Sequence, residues 1–389
     1  MKIGIITYVK CDNYGAELQA YAMQYIYNKL GYDAEIIDLE KQTKDISSSL
    51  STIIPAILNR FKIYGLKAPI KIYSLIVDVL KRKYAIRKFA KEIEAKHLMY
   101  TSFFDNKIKH SDCHYSLKNI YEEELNYDVF VAGSDQIWNY MHTDFLDVYF
   151  LMFANKYKAK KISYAASISV PDIPSHLQRK YKNYFENIDY IGVRELNAKD
   201  IVERYSNKTA TVVLDPTLLI LKDEWKRNVA NEIITNDKYV LIYTLSGSKY
   251  IKDLAKNIAV QLGNIRVINI KPNFIPEKED GIEHLYNVGP QEWVGLIMNA
   301  SYMVTDSFHG TAFSINFNIP FTTLLNPSSN MNSRVLSILE ITNLKERIIY
   351  DDGTNKMPKN LSIKYAPVND IINEWRVKSR NFITSSLIE

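Results

Sequence analysis

The sequence predicts an α/β fold: two Rossmann-like domains facing across a cleft, with a helical insertion in the first. Three observations carry this. Short apolar runs of strand length alternate with helix-length amphipathic stretches in two series, one from Lys2 to Thr217 and one from Tyr239 onward. At 389 residues the chain is too long for one ordinary core and fits two. Polar clusters fall just past the apolar runs, where the crevice of a doubly wound sheet lies. The expected divisions are 1–230, 231–370 and a closing helix over 371–389, with the insertion at about 47–97.

Composition narrows the class. A hydrophobic fraction of 47% and a charged fraction of 24% are those of a folded protein and exclude disorder. Cys11 and Cys113 make no disulfide framework and have no zinc-ligand spacing, so a reducing compartment, no metal and a cytoplasmic location are expected. The opening MKIGIITYV reads as a strand without a signal-peptide pattern, and no later apolar run reaches the ~18 residues of a membrane span. Of the net charge of +5, the stretch Arg60 to Lys96 alone holds +8, eleven lysines and arginines against three carboxylates. Ile, Leu and Tyr are interleaved with these charges, a pattern shared by a helix on an anionic membrane surface and by a solvated insertion packed on a domain. No nucleic-acid partner is expected, and the oligomeric state is left open.

Taken in order, Lys2 to Tyr8 is a buried strand, followed by a loop with Asp12, Asn13 and Gly15 and a helix from about Ala16 to Leu30 that Gly31 terminates. Ala34 to Leu39 completes a β-α-β unit. It lacks GxGxxG, so a dinucleotide fingerprint is not supported. After the insertion the strand Tyr127 to Ala132 delivers GSDQIWN, in which Ser134, Asp135 and Gln136 form either a site or a capped turn over a core Trp138. Lys161 to Ala165 and Ile188 to Val193 are further strands, the second ending in Arg194-Glu195. An arginine there offers a fixed fork for carboxylate or phosphate, or pairs with Glu195 or Asp215. Thr211 to Leu214 leads into the Asp215-Pro216-Thr217 turn. The second series runs Val240 to Thr244, a helix to Leu262, Ile265 to Ile270, a helix from Trp293, Ser301 to Val304, and Phe321 to Leu325. A last helix there is capped by Asn332-Ser333-Arg334.

The stretch VTDSFHGTAFSINFNI, Val304 to Ile319, concentrates the chemistry. A strand ends in Thr305-Asp306-Ser307 and a helix begins near Gly310. Helix starts leave N–H groups unpaired, Gly310 lets a ligand approach the backbone, and the site therefore suits an anion. His309 sits in the turn, where an imidazole exchanges a proton or meets a phosphate. The alternative is that Thr305, Asp306 and Ser307 cap the helix and His309 fills a polar pocket.

These motifs follow one another in a specific series: NYGAELQAYA (Asn13 to Ala22), GSDQIWN, SYAAS, GVRE (Gly192 to Glu195), LDPTLL (Leu214 to Leu219), VGP (Val288 to Pro290), TDSFHGTAFS, NSR (Asn332 to Arg334) and LKER (Leu344 to Arg347). In this series the chain resembles the polysaccharide pyruvyl transferase family nearly end to end. The resemblance implies a glycosyltransferase-B-like fold. It also implies transfer of pyruvate from phosphoenolpyruvate, with no separate cofactor, onto two hydroxyls of a lipid-linked or nucleotide-linked saccharide. Characterised members often read Arg-Leu-His-Gly where this chain has Ser307, Phe308, His309 and Gly310. The His is kept and the Arg is absent, so cations must come from elsewhere.

The donor carries a carboxylate and a phosphate, for which Arg194, Arg334, Ser307 and the N–H groups of Gly310 and Thr311 are the candidates. Ketal formation needs an acid and a base: His309 is the candidate acid, and Asp135 or Asp306 the group that takes the hydroxyl proton. The acceptor is expected at the first domain's loops, through Asn13, Tyr14, Gly15, Ser134, Gln136, Trp138 and Asn139. A peripheral contact of the basic insertion with the inner membrane leaflet is expected if the acceptor is lipid-linked. A nucleotide-sugar glycosyltransferase and a non-catalytic scaffold are the rival classes.

Overall fold

A computed structural model describes residues 1–40, 84, 87–143, 145–231, 237–272, 279–329, 332–352, 354 and 356–388. Among them two six-stranded sheets form, with every neighbouring pair parallel. The first holds β1 (Lys2–Ile6), β2 (Asp33–Ile36), β3 (Val129–Ala132), β4 (Lys160–Ala166), β5 (Tyr190–Val193) and β6 (Ala210–Val212), in the order β2-β1-β3-β4-β5-β6. The second holds β7 (Tyr239–Tyr243), β8 (Arg266–Ile270), β9 (Glu283–Leu285), β10 (Tyr302–Thr305), β11 (Phe321–Leu325) and β12 (Ile348–Tyr350), in the order β12-β11-β10-β7-β8-β9. Strands such as VFVA and YVLIY are apolar along their whole length because helices cover both faces. The strand order reverses between β1 and β3 and again between β7 and β10, which opens a crevice at the carboxyl ends of those four strands.

The helices that build the site are α1 (Tyr14–Lys29), α2 (Ala90–Lys107), α3 (Leu196–Tyr205), α4 (Pro290–Met298), α5 (Phe308–Phe317), α6 (Ser333–Ile341) and α7 (Tyr365–Ile388). Helix α1 starts at Tyr14 rather than Ala16, because the Asn13 side chain accepts from Gly15 N at 2.9 Å and Ala16 N at 3.3 Å. Helix α7 begins at Tyr365, ahead of the expected 371, and ties both sheets. Its Tyr365 hydroxyl donates to Ile319 O, Arg376 donates to Leu218 O and Asn316 Oδ1, and Ser379 Oγ accepts from Leu214 N.

The two halves meet over aromatic rings. Tyr14 lies parallel to Trp293, with centroids 5.5 Å apart and 12° between planes, and packs edge-on to Tyr243 at 5.6 Å. Its hydroxyl donates to Val288 O at 2.9 Å. Lys96 of α2 is buried and donates to Lys271 O at 2.7 Å and Pro272 O at 3.1 Å, crossing from one half to the other. Burial lowers its pKa to about 8. Lys96 is thus an internal strut, which removes it from the cations read as facing a membrane or solvent. Most of that stretch, including Lys81, Arg82 and Lys83, lies outside the described residues. No helix among the described residues is long and apolar enough to cross a membrane.

Glu17 of α1 is fully buried, with Oε1 accepting from Cys11 N at 3.2 Å. Burial pushes its pKa up to about 8, so the folded protein holds a proton there that the unfolded chain releases above its ordinary value of about 4.3. The contribution of Glu17 to stability is greatest below that unfolded value and falls as pH rises towards 8. Glu17→Gln should therefore gain melting temperature over the wild type progressively between about pH 5 and 8, the window between those two pKa values. A constant difference across that range would mean the carboxyl is ionised in the fold.

Candidate functional site

A cleft of about 410 Å³ opens at the crevice, walled by Asn13, Asp135 and Gln136 from the first half and by Ser246, Ser248, Asp306, Phe308, His309, Asn332, Arg334 and Asp351 from the second. Its floor is a charge network that joins the halves. Arg194 is fixed by its fork, with Nη1 donating to Asp215 Oδ2 at 2.8 Å and Nη2 to Asp135 Oδ1 at 3.2 Å. Arg334 Nη1 stands 4.0 Å from the same Asp135 oxygen, and His309 Nε2 stands 3.9 Å from Asp215 Oδ2. The Phe308 ring centre is 4.4 Å from the guanidinium of Arg194 and 5.9 Å from that of Arg334.

Local structure explains how each group is presented. Asp135 adopts φ 69°, a conformation few non-glycine residues take, and its carbonyl accepts from Ser167 N at 2.9 Å. Asp215 ends a strand-to-turn segment where its Oδ1 accepts from Thr217 N and Thr217 Oγ1. That leaves Oδ2 for Arg194 and for Ser134 Oγ at 3.0 Å. His309 is in the first turn of α5, whose cap is Ser307: its Oγ accepts from Gly310 N at 3.4 Å. Ser307 therefore caps the helix.

Charge follows from burial and neighbours. Burial alone would raise Asp135 and Asp215, but Arg194, His309 and Arg334 outweigh it at Asp135, and His309 and Arg194 at Asp215. Both carboxyls are held below their usual range. Burial lowers the pKa of His309 against the opposing pull of Asp215 and Asp135. Arg334 is pushed down to about 10 by burial first and by Arg194 next, and it stays cationic. Arg194 Nε, Glu195 Oε2, His309 Nε2 and Arg334 Nε are buried with no partner among the described residues. Unsatisfied buried polar atoms call for a physical reason, and two of these four belong to His309 and Arg334, which line the cleft.

Several sequence expectations are corrected. Gly310 N–H is taken by Ser307 Oγ and Thr311 N–H by Ser307 O at 3.0 Å, so neither is free for an anion. Gly310 is small because β10 lies close: a Cβ there would meet Thr305 Oγ1 at 2.4 Å. Asp306 has both oxygens engaged, accepting from Leu245 N, Ser246 N and Thr244 Oγ1, and so staples the β7 loop at the edge of the cleft. Arg194, its side chain only 2% exposed, bridges two carboxylates and is not among the residues that line the cleft. Asn332 donates to Asn326 O instead of capping α6. In the first half, Trp138 is core, ring-stacked on Phe150 at 4.4 Å. Ser134 and Asn139 are fully buried in loop bonds, and Tyr14 is in the interface. Gly15 is pressed against His309. Of the seven expected acceptor residues, Asn13 and Gln136 reach the cleft.

Sequence reasoning missed Phe308, Asp351 and the Ser246 and Ser248 hydroxyls, which arrive from separate loops. It left Asp215 and Glu195 as alternative partners of Arg194. The structure selects Asp215, while Glu195 Oε1 accepts from Ser167 Oγ, Ile168 N and Ser169 N.

The pattern of the polysaccharide pyruvyl transferase family matches residues 13–329. The chain belongs to that family. Its match spans His309, Asp135, Asp215 and Arg194, and stops before Arg334 and Asp351. No curated protein matches the chain. Among solved structures, the UDP-GlcNAc 2-epimerase of Methanocaldococcus jannaschii is similar in fold, with a TM-score of 0.50 and 13% identity over 95% of this chain and 98% of that one. The Anabaena HepE complex with UDP and glucose gives a TM-score of 0.49 and 11% identity over 100% and 99%. The epimerase likeness places this pyruvyl transferase family member in the α/β architecture with two facing parallel sheets, the glycosyltransferase-B-like arrangement.

Proposed function

We propose that the protein transfers pyruvate from phosphoenolpyruvate to two hydroxyls of a sugar in a surface-polysaccharide precursor, forming a ketal. The observation that carries this reading is the pair of unpartnered buried nitrogens, His309 Nε2 and Arg334 Nε, at the floor of a cleft between two facing sheets. Arg334 meets the donor's negative charge. That charge raises the proton affinity of the buried imidazole, and His309, once protonated, gives the proton to the methylene carbon. A sugar hydroxyl attacks carbon 2 and loses its proton to Asp135. The donor's engagement of Arg334 weakens one of the cations that hold Asp135 at low proton affinity. A second hydroxyl then attacks carbon 2, the carbon–oxygen bond to phosphate breaks, the hydroxyl proton leaves on the phosphate and the ketal ring closes, and the proton held by Asp135 returns to His309. The acceptor is a lipid-linked or nucleotide-linked saccharide, and a lipid carrier would bring the enzyme to the inner membrane leaflet.

The test is phosphate release from phosphoenolpyruvate in the presence of candidate acceptors, with the acceptor's mass rising by the pyruvate ketal. Release of a nucleoside diphosphate from a nucleotide sugar would replace this reading with a glycosyltransferase. Arg334→Ala should weaken phosphoenolpyruvate binding by about 1.5–3 kcal/mol, the scale of a hydrogen bond to a charged group. An unchanged dissociation constant by calorimetry, in a folded variant, would remove Arg334 from the donor site.

A further inference from the structure

We infer that the Asn13–Tyr14–Gly15 turn is a positioning element for His309, so that the reacting imidazole carried by the second half is seated by the first. The inference rests on the reading of His309 as the proton carrier. A Cβ built on Gly15 would lie 2.0 Å from His309 Nδ1, 2.5 Å from Cε1 and 2.6 Å from Cγ. The ring is therefore in contact with the Gly15 backbone, and no residue with a side chain fits there. Asn13 fixes that backbone by capping α1, and Tyr14 fixes it to the second half through Trp293 and Val288 O. On its far side the ring has Nε2 3.9 Å from Asp215, again from the first half. Asp135, Arg194 and Arg334 are the other charged groups acting on it. The imidazole is thus bracketed by first-half atoms on both nitrogens although its own helix belongs to the second sheet. The NYG motif, expected to touch the acceptor, thus also acts through His309.

Gly15→Ala tests this, because Ala is the better helix former and the only local change is the added methyl. The ring nitrogens of His309, assigned in nitrogen NMR by their loss in His309→Gln, should shift to a freely titrating position. Turnover with phosphoenolpyruvate should fall at least about 10-fold, with donor KM moving less, as for a displaced reacting group. If Gly15→Ala lowers stability, that loss should vanish in a His309→Gly background, where the ring is gone. A folded Gly15→Ala protein with His309 titration unchanged, or a stability loss that persists without the imidazole, would overturn the inference. A shifted titration with wild-type turnover would uphold the seat and instead remove His309 from the reaction.

Discussion

Replacing His309 by Gln is expected to lower turnover about 100-fold or more, while donor affinity changes less. Glutamine keeps a polar side chain in the pocket but cannot carry a proton. The neighbours that set the imidazole's proton affinity, Asp215, Asp135, Arg194 and Arg334, stay in place. The effect should therefore appear in kcat at saturating phosphoenolpyruvate. Wild-type-like turnover would return His309 to a packing role against Gly15.

Asp215→Ala should be the most destabilising of these changes, by about 3–5 kcal/mol, the cost of breaking a buried ion pair from one side. The Asp215 side chain is fully buried and takes bonds from Arg194, Ser134 and Thr217. Removing it leaves the Arg194 charge with Asp135 at 3.2 Å as its ion-pair partner. Urea unfolding measures the loss, and a change below about 1 kcal/mol would show that the pair is not held in the native state. Activity should fall with stability, since His309 loses the carboxylate beside Nε2.

Much of the fold was legible because buried parallel strands are continuous apolar runs, and β1, β3 and β7 announce themselves that way. Strand β9, Glu283–Leu285, has no such run and was missed. The site was legible as a set of motifs, but not in which side chains face the cleft. In GSDQIWN, Ser134, Trp138 and Asn139 point into the protein while Asp135 and Gln136 point out, and composition does not separate these. Gly310 was read as an opening for a ligand, yet Gly310, like Gly15 and Gly133, marks the approach of another part of the chain. A Cβ on Gly133 would meet Tyr164 O at 2.0 Å. Those contacts join segments distant in sequence, or a turn folded back on its own strand, and a linear reading does not contain them.

The ring stack of Tyr14 on Trp293, with Lys96 crossing beside it, bears on how the protein melts. Separating the halves would expose both aromatic faces to water and strip the Lys96 ammonium of the two carbonyls it now meets. Neither half can lose its structure without leaving the other's apolar surface bare, so the two sheets form one cooperative unit rather than a pair of independently unfolding lobes.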